Sequence, residues 1–100
     1  MLNQVLLVGR IAQDLEIKEL ESGKKAVKIT LAVPRSLKNA NGEYDTDFVD
    51  CIFGSIAEDT KEYCKKGDLI GVKGRVQRLD IANGLEIIAE KITFLTSKKQ

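Results

Sequence analysis

Apolar and polar residues alternate along several stretches of this 100-residue chain, and a period of two predicts β-strands. From Val27 to Val33, for example, every second residue is a valine, isoleucine or leucine. Leu15–Leu20 continues the sheet after the first apolar segment, so these two segments count as one interrupted strand. The pattern therefore predicts six segments that form a sheet of five strands. The predicted segments are Leu2–Ile11, Leu15–Leu20, Lys25–Val33, Thr46–Phe53, Asp68–Gln77 and Leu85–Leu95.

Glycine, asparagine and proline mark the places where these strands turn or stop. Gly23, the pair Asn41-Gly42 and the pair Asn83-Gly84 are typical of tight turns, in which one residue adopts a positive φ. Pro34 has no backbone N–H to donate, so the strand before it either ends there or runs along a sheet edge. The polar residues 35–46 predict a connection to the next strand.

The hydrophobic period changes after the fourth segment. Ser55 and Glu58 match the S-x-x-E pattern of a capping box, and apolar residues then follow a helical period. A Lys-Lys-Gly sequence ending at Gly67 is typical of a helix C-terminus. The sequence therefore predicts one short helix of about three turns, placed between the third and fourth strands.

Glycines inside predicted strands indicate a strongly curved sheet. Gly9, Gly71 and Gly74 interrupt otherwise apolar segments, and such glycines often mark bulges or sharp bends. Five strands that curve in this way, with one helix in that position, match a small closed sheet. The pattern predicts an all-β fold with one short helix, the five-stranded Greek-key barrel called the OB-fold.

The segment Thr46–Phe53 holds two of the five aromatic residues of the chain. Phe48 shares the parity of Asp50, whereas Phe53 shares the parity of Cys51. In a regular strand the two rings therefore point to opposite faces of the sheet. Each ring could be a platform for a ligand or a part of the core, and the alternation alone leaves both roles open.

Composition places the chain among soluble globular proteins of one domain. Hydrophobic residues make up 43% and charged residues 31%, and the net charge is +1. This charge is no sign of a polyanion ligand, so a nucleic-acid site would need basic residues clustered on one face. The longest apolar run, Val5–Val8, is far shorter than a membrane span, and no signal peptide is visible. We expect Cys51 and Cys64 to be structural thiols in a reducing cytosol.

Residues that commonly carry catalysis are missing from the sequence. The chain has no histidine, no C-x-x-C pair and no phosphate-binding glycine loop that opens a helix. Its carboxylates are mixed with lysines, as on a solvated surface. We expect neither enzymatic activity nor a metal site.

Several blocks of the sequence resemble the bacterial-type single-stranded DNA-binding protein family. The blocks are LNQVLLVGRI, ITLAVPRSLKNANGEYDTDFVDC and EYCKKGDLIGVKGRVQ, in the order in which that family has them. The resemblance implies an OB-fold domain over residues 1–96 and a homotetramer, with a dimer as the alternative. It also implies binding of single-stranded DNA with little sequence preference during replication, recombination and repair, in the cytoplasm and associated with the nucleoid. It further implies that no cofactor is required.

The resemblance also assigns candidate contact residues. Phe48 matches an aromatic stacking position of the family, and Phe53 is similar to a second one. Leu37 stands where the family has an aromatic residue, and Tyr44 is either a substitute stacking residue or an exposed loop residue. Lys28 and Lys73 point off alternating strands and are expected to join the basic patch. The expected phosphate contacts are Arg10, Arg35, Lys38, Arg75 and Arg78.

Besides Leu37, the chain departs from the family pattern at two further places. Only Ile52 separates Cys51 from Phe53, where the family usually has two residues, so Phe53 shares the face of Phe48 only if the strand bulges. The sequence ends at residues 97–100 in a short polar segment, where the family commonly continues into a linker and an acidic tip, so we expect tail-mediated protein partners to be in doubt. Two alternatives remain open: an oligomeric OB-fold interaction module with weak or lost DNA binding, and a single-stranded RNA or primosome accessory binder.

Overall fold

A computed structural model of the chain describes residues 1–19, 23–54, 64–80 and 84–95. The predicted helix falls mainly on residues 55–63, which lie outside the described residues, as do residues 97–100. The strands within these described ranges are β1 (Val5–Ile11), β2 (Glu16–Glu19), β3 (Lys25–Lys38), β4 (Tyr44–Phe53), β5 (Leu69–Asp80) and β6 (Gly84–Phe94). Both β1 and β2 pair with β3, one after the other, and together they form the first strand of the predicted five.

The strands close into a barrel. Their order in the sheet is β1-β5-β6-β4-β3-β2, and an additional pairing of β1 with β3 joins the two sides. All pairs are antiparallel except β4 with β6, which are parallel. With β1 and β2 counted as one strand, this is a closed five-stranded sheet of OB-fold topology, so the predicted all-β barrel is confirmed for the described residues.

Two of the glycines within strands lie where neighbouring backbones approach closely. A Cβ atom on Gly9 would lie 2.6 Å from the carbonyl oxygen of Ala32, beside the β1–β3 pairing that closes the barrel. A Cβ atom on Gly74 would overlap the carbonyl oxygen of Ile88, next to a register shift in the β5–β6 ladder. These glycines therefore permit the closure and the bending of the sheet.

The core lies inside the barrel and follows the predicted alternation. Val27, Ile29 and Leu31 of β3 are fully buried and pack with residues of β1, β4 and β5. Cys51 and Cys64 are also buried in this core as thiols, as expected from the sequence. Burial keeps these sulfur atoms from solvent, which is consistent with a structural role.

The strands β3 and β4 extend beyond the barrel as a hairpin arm, which we define as residues 34–47. The expectation of a polar connection after Pro34 is wrong for most of this segment, because β3 continues to Lys38 and β4 begins at Tyr44. Pro34 pairs with Thr46 at the start of a register irregularity, so the ladder accommodates its missing N–H. Side-chain and backbone hydrogen bonds of Asn39 hold the turn, in which Gly42 has a φ of 79°.

Candidate nucleic-acid interface

The two phenylalanines of β4 lie on opposite faces of the sheet. The ladder with β3 runs without a bulge from Phe48, opposite Ala32, to Phe53, opposite Val27. The side chain of Phe48 is 68% exposed, whereas Phe53 is half-buried and packs against the core. The bulge that would bring both rings to one face is absent from β4, so a DNA contact by Phe53 stays a prediction that its position disfavours.

Phe48 belongs to a surface on the outside of the barrel that we call the outer face. Strand register joins its members, because Ala32 pairs with Phe48, Ile52 with Ile88, and Ile88 with Arg75. Alternation along each strand then places the other members on the same side. The outer face comprises Lys28, Thr30 and Ala32 of β3, Phe48, Asp50 and Ile52 of β4, Arg75 and Gln77 of β5, and Glu86, Ile88 and Glu90 of β6. Among these, Thr30 and Ile52 are buried by their neighbours.

A shallow depression of about 370 Å³ opens beside the Phe48 ring. Its lining includes the apolar residues Phe48 and Leu85 and the acidic residues Asp50 and Glu86. Leu85 is 68% exposed, because it lies at the hairpin end of β6 beyond the closed part of the barrel. Within this mixed lining, Phe48 and Leu85 offer exposed apolar surface of the kind that an unpaired base can cover.

Both cations of the outer face are held by carboxylates. Lys28 Nζ lies 3.5 Å from Glu16 and 3.8 Å from Asp50, and Asp50 also accepts a 2.7 Å hydrogen bond from the Thr30 hydroxyl. Arg75 Nη1 lies 2.9 Å from Glu90 Oε2, and its Nη2 donates to Gln77 Oε1 at 2.8 Å. Neither cation is therefore an unpartnered point of positive charge.

A second guanidinium–carboxylate pair lies on the hairpin arm. Arg35 donates from Nε and Nη2 to the two oxygens of Asp47, at 3.0 and 2.9 Å, and Asp45 lies 3.8 Å away. The hydrogen bond and the charge of Asp47 raise the pKa of Arg35, and the same hydrogen bond lowers the pKa of Asp47. Because Asp47 directly precedes Phe48, this pair points to the opposite side of β4 from the ring.

The tip of the hairpin arm carries exposed apolar and aromatic surface. Leu37 is 81% exposed and Tyr44 is 56% exposed. Lys38 pairs with Tyr44 across the strands, and its Nζ lies 5.7 Å from the centre of the ring. This distance is within the range of a cation–π contact. Tyr44 is thus part of β4 and not of a loop, although its contact with DNA stays a prediction.

The remaining predicted cations lie on other parts of the barrel. Arg10 donates from Nη1 to the carbonyl oxygen of Gly67 at 2.9 Å, at the end of β1. Lys73 and Arg78 of β5 are exposed and form no ion pair with another described residue. Lys73 pairs with Lys91 of β6 and Leu6 of β1, away from the Phe48 ring. The structure therefore brings Lys28 and Arg75 to the face of Phe48, but not Arg35 or Lys73.

Sequence reasoning missed two features of this interface. Leu85 has the parity of the core residue Ala89, so alternation alone places it inside, whereas its position at the strand end exposes it. The sequence alone also did not predict the carboxylates that hold the two arginines, because Glu90 is 15 residues from Arg75 and Asp47 is 12 residues from Arg35 in sequence. Pairing β3 with β4 and β5 with β6 as hairpins would have placed each carboxylate close to its arginine and so predicted both ion pairs.

The described residues show no metal cluster and no membrane-spanning helix. Among the residues that the structure describes, no group of three or more acidic, cysteine or histidine side chains could hold a metal ion. Within the same residues, no helix is long and apolar enough to cross a membrane.

Comparison with known proteins relates this geometry to a family. The model of the single-strand binding protein family matches residues 2–95. Single-stranded DNA-binding protein B of Bacillus subtilis is 40% identical over 98% of this chain and 94% of its own length. Single-stranded DNA-binding protein 1 of Staphylococcus aureus strain Mu50 is 41% identical over 98% of this chain and 68% of its own length.

Solved structures support the same conclusion at the level of the fold. Rim1, a mitochondrial single-stranded DNA binding protein of S. cerevisiae, superposes with a TM-score of 0.76 at 19% identity, over 99% of each chain. A deletion mutant of the single-stranded DNA binding protein from Thermus aquaticus superposes with a TM-score of 0.72 at 23% identity, over 97% of this chain and 52% of that one. The family match covers nearly the whole chain, and the barrel has the same fold, so the chain belongs to the single-strand binding protein family.

Proposed function

We propose that this protein binds single-stranded DNA with little sequence preference, as a non-enzymatic partner in replication, recombination and repair. The observation that carries the proposal is the exposed ring of Phe48 on the outer face, in a chain 40% identical to a single-stranded DNA-binding protein over nearly its full length. An exposed aromatic ring stabilises an unpaired base by stacking, whatever the base, and the exposed side chain of Leu85 adds apolar surface beside it.

Phosphate contacts supply the second part of the proposed mechanism. The cations expected to follow the DNA backbone are Arg10, Lys28, Arg35, Lys38, Lys73, Arg75 and Arg78. Lys73 and Arg78 are available without breaking an ion pair with a described residue, whereas Lys28, Arg35 and Arg75 must first leave a carboxylate. Binding should therefore weaken as salt rises, because each phosphate contact releases counterions from the DNA.

We further propose that the protein assembles into a homotetramer through β1. Along Val5–Gly9, β1 pairs with β5 on one side only, and among the described residues no strand covers its other edge. Leu6 and Val8 are 70% and 56% exposed on this strand and line an open apolar depression. An unpaired strand edge next to apolar side chains favours association with further copies of the same chain.

Light scattering tests the assembly. A mass of four chains is the expected result, and Val8→Asp should lower it because a charge would be buried at the contact. A single-chain mass at micromolar concentration would refute the proposal.

We place the protein in the cytoplasm with the nucleoid, since DNA is its proposed partner and both described cysteines are thiols.

A titration by fluorescence anisotropy tests the proposed function. Labelled single-stranded and duplex oligonucleotides are compared over a series of salt concentrations. Strong preference for the single strand, with affinity that falls as salt rises, is the expected result.

One observation favours the alternative of an interaction module with weak DNA binding: carboxylates hold both cations of the outer face. The absence of binding at about 50 mM salt, where phosphate contacts are strong, would support that alternative.

A further inference from the structure

Two arginines expected to contact phosphates are already engaged by carboxylates. The guanidinium of Arg75 lies 2.9 Å from Glu90 on the outer face. The guanidinium of Arg35 makes a two-pronged pair with Asp47 on the hairpin arm. A carboxylate and a phosphate present similar pairs of oxygens to the guanidinium fork, so the two kinds of anion compete for the same donors.

We propose that Glu90 and Asp47 compete with DNA phosphates for Arg75 and Arg35, and thereby set the affinity and the salt dependence of binding. This inference rests on the proposed binding of single-stranded DNA. The two carboxylates act through the arginines and do not touch the DNA themselves. In the free protein they neutralise the arginines, and in the complex they must give them up.

The charge balance of the outer face makes this competition strong for Arg75. Lys28 and Arg75 are the cations of this face, and Asp50, Glu86 and Glu90 are its carboxylates, so these members carry more negative than positive charge. When a phosphate takes the guanidinium of Arg75, the carboxylate of Glu90 is left unpaired beside the DNA. It then repels the strand or takes up a cation from solution.

The same reasoning predicts an unusual salt dependence. Each phosphate contact to a single strand normally contributes about 0.7 to the slope of log affinity against log salt. A cation taken up by the abandoned carboxylate subtracts from the counterions that the DNA releases. The protein should therefore show a shallower slope than its number of phosphate contacts would give, and removal of the carboxylate should restore the missing part.

The chain offers a matched control for Glu90. Glu86 lies on the same strand and the same face, and it forms no ion pair with a described residue. Glu90→Gln and Glu86→Gln change the net charge equally, but only the first frees a guanidinium. We expect Glu90→Gln to bind a single-stranded oligothymidylate about 1.5- to 5-fold more tightly than Glu86→Gln at low salt. We also expect its salt slope to be steeper, by up to about 0.7.

A double-mutant cycle shows whether Glu90 acts through Arg75. In an Arg75→Gln background, Glu90→Gln should bring no more gain than Glu86→Gln does, because no guanidinium remains to be freed. The proposal is overturned if Glu90→Gln binds as weakly as the control, if it binds more weakly than the unchanged protein, or if its gain persists without Arg75. A weaker complex would mean that Glu90 positions Arg75 for the phosphate.

The arm provides an independent repeat of the experiment. Asp47→Asn is compared with Glu19→Gln, an exposed carboxylate on β2 that forms no ion pair with a described residue, and the cycle uses Arg35→Gln. A gain confined to the background with Arg35 supports the competition, and an equal gain in both backgrounds contradicts it. If the unchanged protein binds no single strand at low salt, the proposed function fails, and this outcome is distinct from failure of the competition.

Discussion

Replacement of Phe48 by alanine removes the exposed ring from the outer face while leaving the barrel intact. About a third of the side chain is buried in the folded protein, since 68% of it is exposed. Full burial of a phenylalanine stabilises a protein by roughly 1.5–3 kcal/mol relative to an exposed side chain. The substitution should therefore lower the free energy of unfolding by only about 0.5–1 kcal/mol, and the variant should stay folded.

The effect on DNA binding should be larger than the effect on stability. Stacking of one base on an aromatic side chain contributes roughly 1–3 kcal/mol, which corresponds to a loss of affinity of about 5- to 150-fold. Phe48 carries no charge, so the slope of affinity against salt should not change. This combination separates a lost stacking contact from a lost phosphate contact, which would alter the slope.

Anisotropy titrations with a labelled oligothymidylate at several salt concentrations measure both quantities, and urea unfolding measures stability. Phe48→Tyr is the matched control, because it keeps an aromatic ring at the same position. Phe53→Ala provides the contrast, since this half-buried ring packs against the core and its loss should cost about 2–4 kcal/mol of stability. The folded fraction of Phe53→Ala should retain its affinity for DNA.

Equal affinity of Phe48→Ala and the unchanged protein at every salt concentration would refute the stacking role. A loss of affinity in Phe53→Ala that persists after correction for unfolding would show that the core-side ring also meets the DNA. The regular ladder through β4 argues against the second result.

Three further predictions concern stability and ionisation. Gly74→Ala should lower the free energy of unfolding in urea by at least about 2 kcal/mol, because its Cβ would overlap a carbonyl oxygen, whereas Gly71→Ala, whose Cβ has only contacts of 3.8 Å or longer, should cost much less; equal losses would contradict this account. Burial and the nearby Asp50 charge raise the pKa of Cys51 to about 11, above the value of an unfolded thiol. Because the unfolded chain ionises first, the free energy of unfolding should be unaffected by this thiol below about pH 9 and should fall by about 2 kcal/mol as the pH approaches 11. Cys51→Ala should lack this part of the alkaline loss, and an unchanged alkaline profile would count against it. Arg35→Gln should raise the pKa of Asp47, measured by NMR titration. In the unchanged protein, the Arg35–Asp47 pair should contribute to the free energy of unfolding above the unfolded pKa of about 3.9, and this contribution should disappear as the pH falls through the lower folded pKa.

Much of the fold follows from local sequence patterns. Alternation located the strands and their buried face, because successive side chains in a strand point to opposite sides whatever the partner strand is. The same rule separated Phe48 from Phe53 before any tertiary contact was known. The positive φ values of Gly23, Gly42 and Gly84 agree with the turns expected from the sequence, since glycine adopts this conformation without a steric penalty.

The extent of the hairpin arm was decided by tertiary structure. Pro34 predicted a break by its missing N–H, but the Asn39 turn and the Arg35–Asp47 pair hold the two strands together beyond it. A propensity of one residue was thus outweighed by several contacts across the hairpin.

The charge pattern of the interface also depends on tertiary structure. The sequence identifies Arg75 and Lys28 as cations, but only the register between strands shows that Glu90 and Asp50 lie beside them. Register depends on the whole ladder and on its bulges, such as the shift next to Gly74. The sequence by itself determined the strands and the opposite orientation of Phe48 and Phe53. The folded sheet decided which of the two rings faces outward and which positive charges remain available to a phosphate, because ring burial and ion pairs depend on strands that are distant along the chain.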